Sequence, residues 1–419
     1  MRRPSSRTNL AFSVIFLSHI FPVIASPKMV ASLHHPDSPE MAARRRRGLF
    51  FIGCAAAGVG MALSLQLALN SNFVAEELLL TGLQQGILET FRESCGIFAL
   101  GILALFAWCA EPRIGAAALA LLGVGLGAYC FVPNFTWLII FSLVWSQGFH
   151  IWAPLPGSMT MALAEPGRAG YRFGQVQAAG AIGSAAGLSI ALGLVLLGVG
   201  AMRSLYLLAG AAALLGGCAC LGIPCDQKAS RPRLIFRRRY GLYYLLTFLE
   251  GWRKQICIAF AGYLLVKQYH TSLSMMLSLW LVAQVLSWLF APRIGRWIDS
   301  VGERRALVFY YSGMAVLFSG YGFIENRELL SALYVLDTVL FAFTMAQTTY
   351  INKIAPPSEH TATLSMGVAI NHIASVLMPL TGGMLWNYAG YRWAFLTGVI
   401  AALVSAMVSL YLPAHKKTG

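Results

Sequence analysis

The sequence predicts an all-α membrane protein of twelve transmembrane helices, arranged as two six-helix halves. Three observations carry that expectation. Of 419 residues, 58% are hydrophobic and 11% charged, with a mean hydropathy of +0.66. Soluble domains sit near half apolar and a quarter charged. Apolar stretches of about 20 residues recur, long enough to cross about 30 Å of hydrocarbon as helices. The longest hydrophilic interruption between them, "CDQKASRPRLIFRRRY" at 225–240, falls after the sixth stretch and separates six from six.

The spans are expected near 48–70, 81–108, 114–132, 136–163, 173–199, 203–223, 241–266, 273–292, 305–324, 329–352, 362–386 and 391–413. The domain plan follows: a tail at 1–47 outside the fold, a bundle at 48–223, a linker at 224–240, a bundle at 241–413 and a tail at 414–419. Pro154 and Pro156, beside His150 in "GFHIWAPLP", are expected to kink the fourth span.

A formal charge of +15 would suggest nucleic acid only if its location were ignored. Of the 31 Lys and Arg, 24 fall on one side of the predicted bundle, four on the other and three inside spans. That bias places both termini and the linker in the cytoplasm. No nucleic-acid motif is present. The eight cysteines lie mostly within apolar spans and read as small buried hydrophobes. "CACLGIPC", 218–225, has no nearby His, so no metal site and no cofactor are expected.

The first 26 residues, "MRRPSSRTNLAFSVIFLSHIFPVIAS", have the basic start and apolar stretch of a signal peptide. Export there would carry Arg44–Arg47 to the wrong face. A start at Met29 or Met41 is the reading adopted, with a thirteenth helix or a true signal peptide as alternatives.

The halves echo each other weakly. "AEPGRAGYRFGQVQAAG", 164–180, and "APPSEHTATLSMGVAINHI", from Ala355, share a small residue, proline and acid, a polar loop and a glycine (Gly174, Gly367). Between spans eight and nine, "APRIGRWIDSVGERRAL" concentrates charge around glycines. Gly295, Asp299, Gly302, Arg304 and Arg305 form G-x-x-x-D-x-x-G-x-R-R. Gly295 would admit a neighbouring helix, a helix dipole and a basic partner would hold Asp299, and Gly302 would permit a tight turn. The Arg pair would bind carbonyls or acids.

This motif resembles the signature loop of the major facilitator superfamily, whose resemblance covers 48–413 as architecture. It implies a conformational latch between bundles; a simple positive-inside anchor would need only the arginines. The first half departs from the pattern. "AEPRIGAAALAL", 110–121, keeps Gly115 but places Glu111 one position out of register and lacks the basic run. The carboxy-terminal part is similar to uncharacterised bacterial permeases of the superfamily, which implies a bacterial inner membrane and a monomer among lipids.

Ionisable groups inside spans usually face a cavity or a partner. Spans three, six, nine and twelve carry none, and the resemblance implies that these face lipid. Span two carries Gln85, Glu89, Arg92 and Gly96 on one face, with Glu93 beside them. Span seven carries Tyr243, Thr247, Glu250 and Lys254 on one stripe, with Arg253 beside it. Asp337 lies in span ten, His150 in span four, and Asn371 and His372 in span eleven. Either these are self-neutralising pairs that hold helices together, or they line a solute and proton path. On the second reading Arg92, Arg253 and Lys254 meet an anionic or zwitterionic group, and Glu89 or Glu250 takes a coupling proton. Each histidine reads as a structural hydrogen-bonding residue or a proton carrier. Gln66, Gln177, Gln284, Trp145 and Trp252 are weaker candidates.

These features predict a secondary active transporter that moves a small solute by alternating access, with proton coupling. No G-x-x-x-x-G-K-[ST] loop is present to bind ATP. A membrane-embedded enzyme using His150 and His372 as bases, or a non-transporting sensor of the same fold, is the alternative.

Overall fold

The computed structural model describes residues 38–224, 228, 234–356 and 359–413. Among these residues the chain is helical, with no strand beyond an isolated bridge between Ala110 and Lys228. In chain order the helices are α1 (Pro39–Glu77), α2 (Gly82–Leu105), α3 (Glu111–Phe131), α4 (Phe135–Leu163), α5 (Ala169–Leu196) and α6 (Met202–Cys220). The second half has α7 (241–267), α8 (Leu273–Val301), α9 (Glu303–Phe323), α10 (Arg327–Ile354), α11 (His360–Ala389) and α12 (Tyr391–Ser409). Ten of these are long and apolar enough to cross a membrane. The other two, α2 and α7, are of spanning length but carry Glu89, Arg92 and Glu93, and Glu250, Arg253 and Lys254.

Helix ends must satisfy their own donors, because hydrocarbon offers none. Ser38 accepts from Met41 N at 3.2 Å and Pro39 opens α1. Thr81 and Gln84 form a capping box at the start of α2. Asn134, Ser272 and Asn326 cap α4, α8 and α10, each side chain accepting from the backbone N–H three residues on. Gly302, at φ +84°, joins α8 to α9 in the left-handed region that a side chain would strain.

Two sequence expectations change. Residues 38–47 belong to the fold: Arg44–Arg47 extend α1 by whole turns, and Arg44 Nε donates to Pro224 O at 2.9 Å. Good helix formers behind a Ser-Pro start outweigh the polarity that marked this segment as tail. Residues 1–37 lie outside the described residues, as do 414–419 and residues 225–227 and 229–233 of the linker. Second, α8 continues through Pro292 to Val301. The stretch expected to be loop is helix, so Asp299 stands in the last turn, where the dipole disfavours an acid. The expected kink is present, and α4 is interrupted at Ala153 and Pro154.

Within the first half α1 packs on α5 and α6, α2 on α4, and α3 on α4 and α6. Within the second, α7 packs on α11 and α12, α8 on α10, and α9 on α12. The halves meet through α1, α2 and α5 on one side and α7, α8 and α11 on the other. Helices α3 and α6, and α9 and α12, whose charges lie only near their ends, pair within each half.

The seam is tight on the face away from the linker. Gly82 faces Trp386, Gly86 faces Pro379 O, and a Cβ on Gly383 would stand 2.8 Å from Gly82 O. Small residues let the two backbones touch. Tyr263 donates to Leu80 O at 2.6 Å and Asn72 to Thr271 O at 3.0 Å across the same face. Towards the linker the α2–α11 contact continues through Thr90 to Val376 O, 3.1 Å, as far as Gly96 against His372. On the linker face α5 and α8 expose Tyr171, Phe173, Ile182, Trp288, Leu289 and Phe290.

On that linker face Glu359 ties the linker to α11. It accepts from the Tyr240 hydroxyl at 2.8 Å and from Arg239 at 2.5 Å. The hydroxyl bond and the Arg239 guanidinium hold its carboxyl below the usual carboxylate range.

A charged cavity at the seam of the two halves

Helix α7 brings the chemistry to the seam. Its charged turn, Glu250 to Lys254, lies about 15–20 Å from its start, near mid-membrane. Immediately after it the helix loosens into a π-turn, Cys257–Ala261. A π-turn leaves carbonyls free for other partners and is frequent at functional sites. Here Ala259 O accepts from Gln85 Nε2 of α2 at 3.0 Å, a hydrogen bond between the halves. Helix α1 ends in a second π-turn, Phe73–Glu77.

A cavity of about 170 Å³ lies between the halves. It is lined by Asn70 and Ser71 of α1, Glu89 and Arg92 of α2, Arg253 and Lys254 of α7, and Tyr334 and Asp337 of α10. Cys257, Trp280 and Phe341 supply apolar and aromatic wall. Apolar walls with a few convergent polar groups are the ordinary form of a small-molecule site.

Each arginine is already matched. Arg92 pairs with Glu89, whose Oε1 also accepts from Gln85 at 3.3 Å. The Arg92 guanidinium lies 4.6 Å over the Trp145 ring and 3.4 Å from Gln66 Oε1. Arg253 pairs with Glu250 and reaches Asp337 Oδ1 at 3.4 Å. Tyr310 donates to Glu250 at 3.3 Å and offers its ring to Arg253 at 5.1 Å. Burying an ion is tolerable only with such company.

A third group sits where the halves touch. Glu93 of α2 is 4.0 Å from Lys254 Nζ and 3.3 Å from His372 Nδ1. His372 stacks edge-on against His150 of α4, ring centroids 5.0 Å apart. Lys254 donates to Asn371 Oδ1 at 3.3 Å, and Asn371 donates to Thr247 O at 3.2 Å. The structure thus brings together Gln85, Glu89, Arg92, Glu93, His150, Glu250, Arg253, Lys254, Asp337, Asn371 and His372 in one band between the halves.

Other candidates lie elsewhere. Trp252 donates to Thr397 of α12, inside its own half. Gln177 is exposed on α5, and neither it nor Gln284 lines the cavity. Around 295–305, a Cβ on Gly295 would meet open space, so no helix approaches there. Asp299 and Arg305 are exposed, and among the described residues Asp299, Arg304 and Arg305 form no ion pair. The ion pair of this corner joins Glu303 to Lys353 at 2.6 Å, within the second half. Gly302 alone performs the part assigned from sequence. In the first half Glu111 is buried and accepts from Ser158 of α4 at 2.7 Å.

Sequence reasoning missed Asn70, Ser71, Cys257, Trp280, Tyr334 and Phe341 as lining residues. Uncharged polar and aromatic residues cost less to bury than ions and so stand out less in an apolar span. Asn70 alone had a signal, lying one turn from Gln66, to whose Nε2 its Oδ1 is joined at 3.3 Å.

Two helical halves meet around a charged cavity, and their contacts are tight on one face. Residues 243–419 match the family model of the Major Facilitator Superfamily. Two solved structures of the nucleoside transporter NupG, one of them a point mutant, superpose over 88% and 87% of this chain and 99% of their own. Their TM-scores are 0.69 and 0.72, at 14% and 12% identity. A bacterial homologue of the human lysosomal transporter Spinster, inward-facing and occupied, gives 0.63 at 12% identity over 86% of this chain and 95% of its own. No curated protein matches the sequence. The family match thus covers the second half of this chain, and over nearly its whole length the chain shares the fold of these transporters.

Proposed function

We propose that the protein carries a small zwitterionic solute, an amino-acid-like molecule with an ammonium and a carboxylate, by alternating access. The observation that supports this is which of the cavity's charges remain reachable. The side chains of Glu89, Arg92, Glu250 and Arg253 are 1%, 7%, 6% and 1% exposed and satisfy one another. Lys254 and Asp337 keep 21% and 18%. One cation and one acid that are more exposed than the rest fit opposite ends of a zwitterion. The cavity and the groups behind it also hold four acids (Glu89, Glu93, Glu250, Asp337) against three cations (Arg92, Arg253, Lys254), which disfavours a simple anion.

Asp337 also serves as the proton site of this reading, since its bond to Arg253 is the loosest of the carboxylate–arginine contacts in the cavity. Protonation would release Arg253 to Glu250 alone. The linker-face mouth is the cytoplasmic one, both termini are cytoplasmic, and the protein works as a monomer in a bacterial inner membrane. The 295–305 motif engages its partners only when the linker face closes. No covalent bond of the solute changes.

Counterflow in proteoliposomes tests this. Zwitterionic amino acids are expected to exchange, and organic anions of the same size are not. Exchange of the anions alone would overturn the reading.

A further inference from the structure

We propose that Glu93, His150 and His372 form a binding site for a divalent transition-metal cation, of which zinc is the natural type, bridging the two halves. Each residue comes from a different helix: α2, α4 and α11. One ligand atom of each lies within 4.8 Å of the others. Glu93 Oε2 and His372 Nδ1 are 3.3 Å apart. That is about the edge between two ligands of a tetrahedral zinc with bonds of ~2.0–2.1 Å.

The pair is not a hydrogen bond. Both atoms are buried, and among the described residues neither has a hydrogen-bond partner. They are close without meeting hydrogen-bond geometry, so with Nδ1 unprotonated both atoms can offer a lone pair to one cation. An unsatisfied buried pair is costly, and a cation between the two turns that cost into binding. His150 completes the set. Its Nδ1 lies 2.8 Å from Ser146 O. A carbonyl only accepts, so Nδ1 carries the proton and Nε2 is left as a ligand. Metal-bound imidazoles are held in this way, with the second nitrogen donating to a backbone carbonyl.

Two imidazoles and one carboxylate suit zinc and its neighbours rather than magnesium or calcium, which take oxygen ligands. Water would fill the fourth position. The Lys254 ammonium, 4.0 Å from Glu93, opposes a second cation, and Asn371 at 3.3 Å holds it once the carboxylate turns to the metal. The other charged groups nearby, Glu89 and Arg92, are paired with each other. A metal here would tie α2 and α4 to α11 and so clamp the far face shut.

The test needs no substrate, so it stands or falls apart from the transport reading. The full chain is purified in detergent, stripped with a chelator and titrated with zinc chloride by calorimetry. One zinc per chain is expected, and cobalt in its place should give the visible absorption bands of a tetrahedral site. Glu93→Gln and His372→Gln should each weaken zinc by at least about tenfold. Each variant must elute as a single species, and His150→Gln replaces either one that does not. No zinc binding to the parent chain, or equal binding by two folded variants, overturns the proposal.

Discussion

Arg253 shows what a single residue decides. Its side chain is 1% exposed and serves Glu250, Asp337 and the Tyr310 ring together. Removing it leaves two acids buried without a cation, a loss of about 3–5 kcal/mol. Arg253→Met is therefore expected to lower the melting temperature of the purified protein as well as abolish uptake. Asp337→Asn should behave differently, because Arg253 keeps Glu250. The protein should fold and melt nearly as the parent, with uptake reduced at least about tenfold and its dependence on acidic pH flattened. A variant that melts normally but transports at the parent rate would remove Asp337 from the path. These charged residues were legible in the sequence because an ion in an apolar run is conspicuous. Their partners were not. The i,i+3 spacing suggested Glu89 with Arg92 and Glu250 with Arg253, but the third contact, Asp337 to Arg253, joins residues 84 positions apart.

Among the elements, α2 and α11 make the closest contact between the halves. Gly86 against Pro379 O and Gly96 against the His372 ring leave no room for a side chain. Gly86→Val should wedge the far face apart and shift the protein towards the state open there. Spin labels on α2 and α11 would report a longer separation, and an unchanged distance would contradict the geometry described. Residue type hinted at this seam, since small residues recur along both helices, but spacing alone does not say which helix they touch. Helix ends were legible to within a few residues where a cap or glycine marks them, as at Thr81 and Gly302. They were missed where polarity and helicity part company. Arg44–Arg47 and Arg293–Val301 look like loop because they are hydrophilic, yet an α-helix can run on into water beyond the membrane.

For the molecule as a whole, the two faces differ in kind. The far face is sealed by hydrogen bonds and glycine contacts, whereas on the linker face α5 and α8 present apolar side chains outward. Cysteines placed singly at Ser272 and Arg305 test the proposed orientation. A membrane-impermeant thiol reagent should label the former in intact cells and the latter only after permeabilisation. The reverse pattern would invert the topology. In the same frame, Asp299→Asn with Arg305→Gln is expected to slow uptake without lowering the melting temperature, since neither residue holds an ion pair here. The bundle count and the division at 225–240 could be read early because they rest on hydrophobicity summed over many residues. The cavity could not, since it depends on how twelve rods lean together.

The π-turn of α7 sets these scales in step. It inserts one residue into the helical count, turning everything beyond Ala261 by about 100° relative to a regular helix. Arg253 and Lys254 lie on one side of that slip. Gly262, packed by Ser71, and Tyr263, bound to Leu80, lie on the other. The far-face contacts and the cavity are therefore indexed to each other by a single extra residue. Deleting Ile258 would restore a regular helix and put the two out of phase.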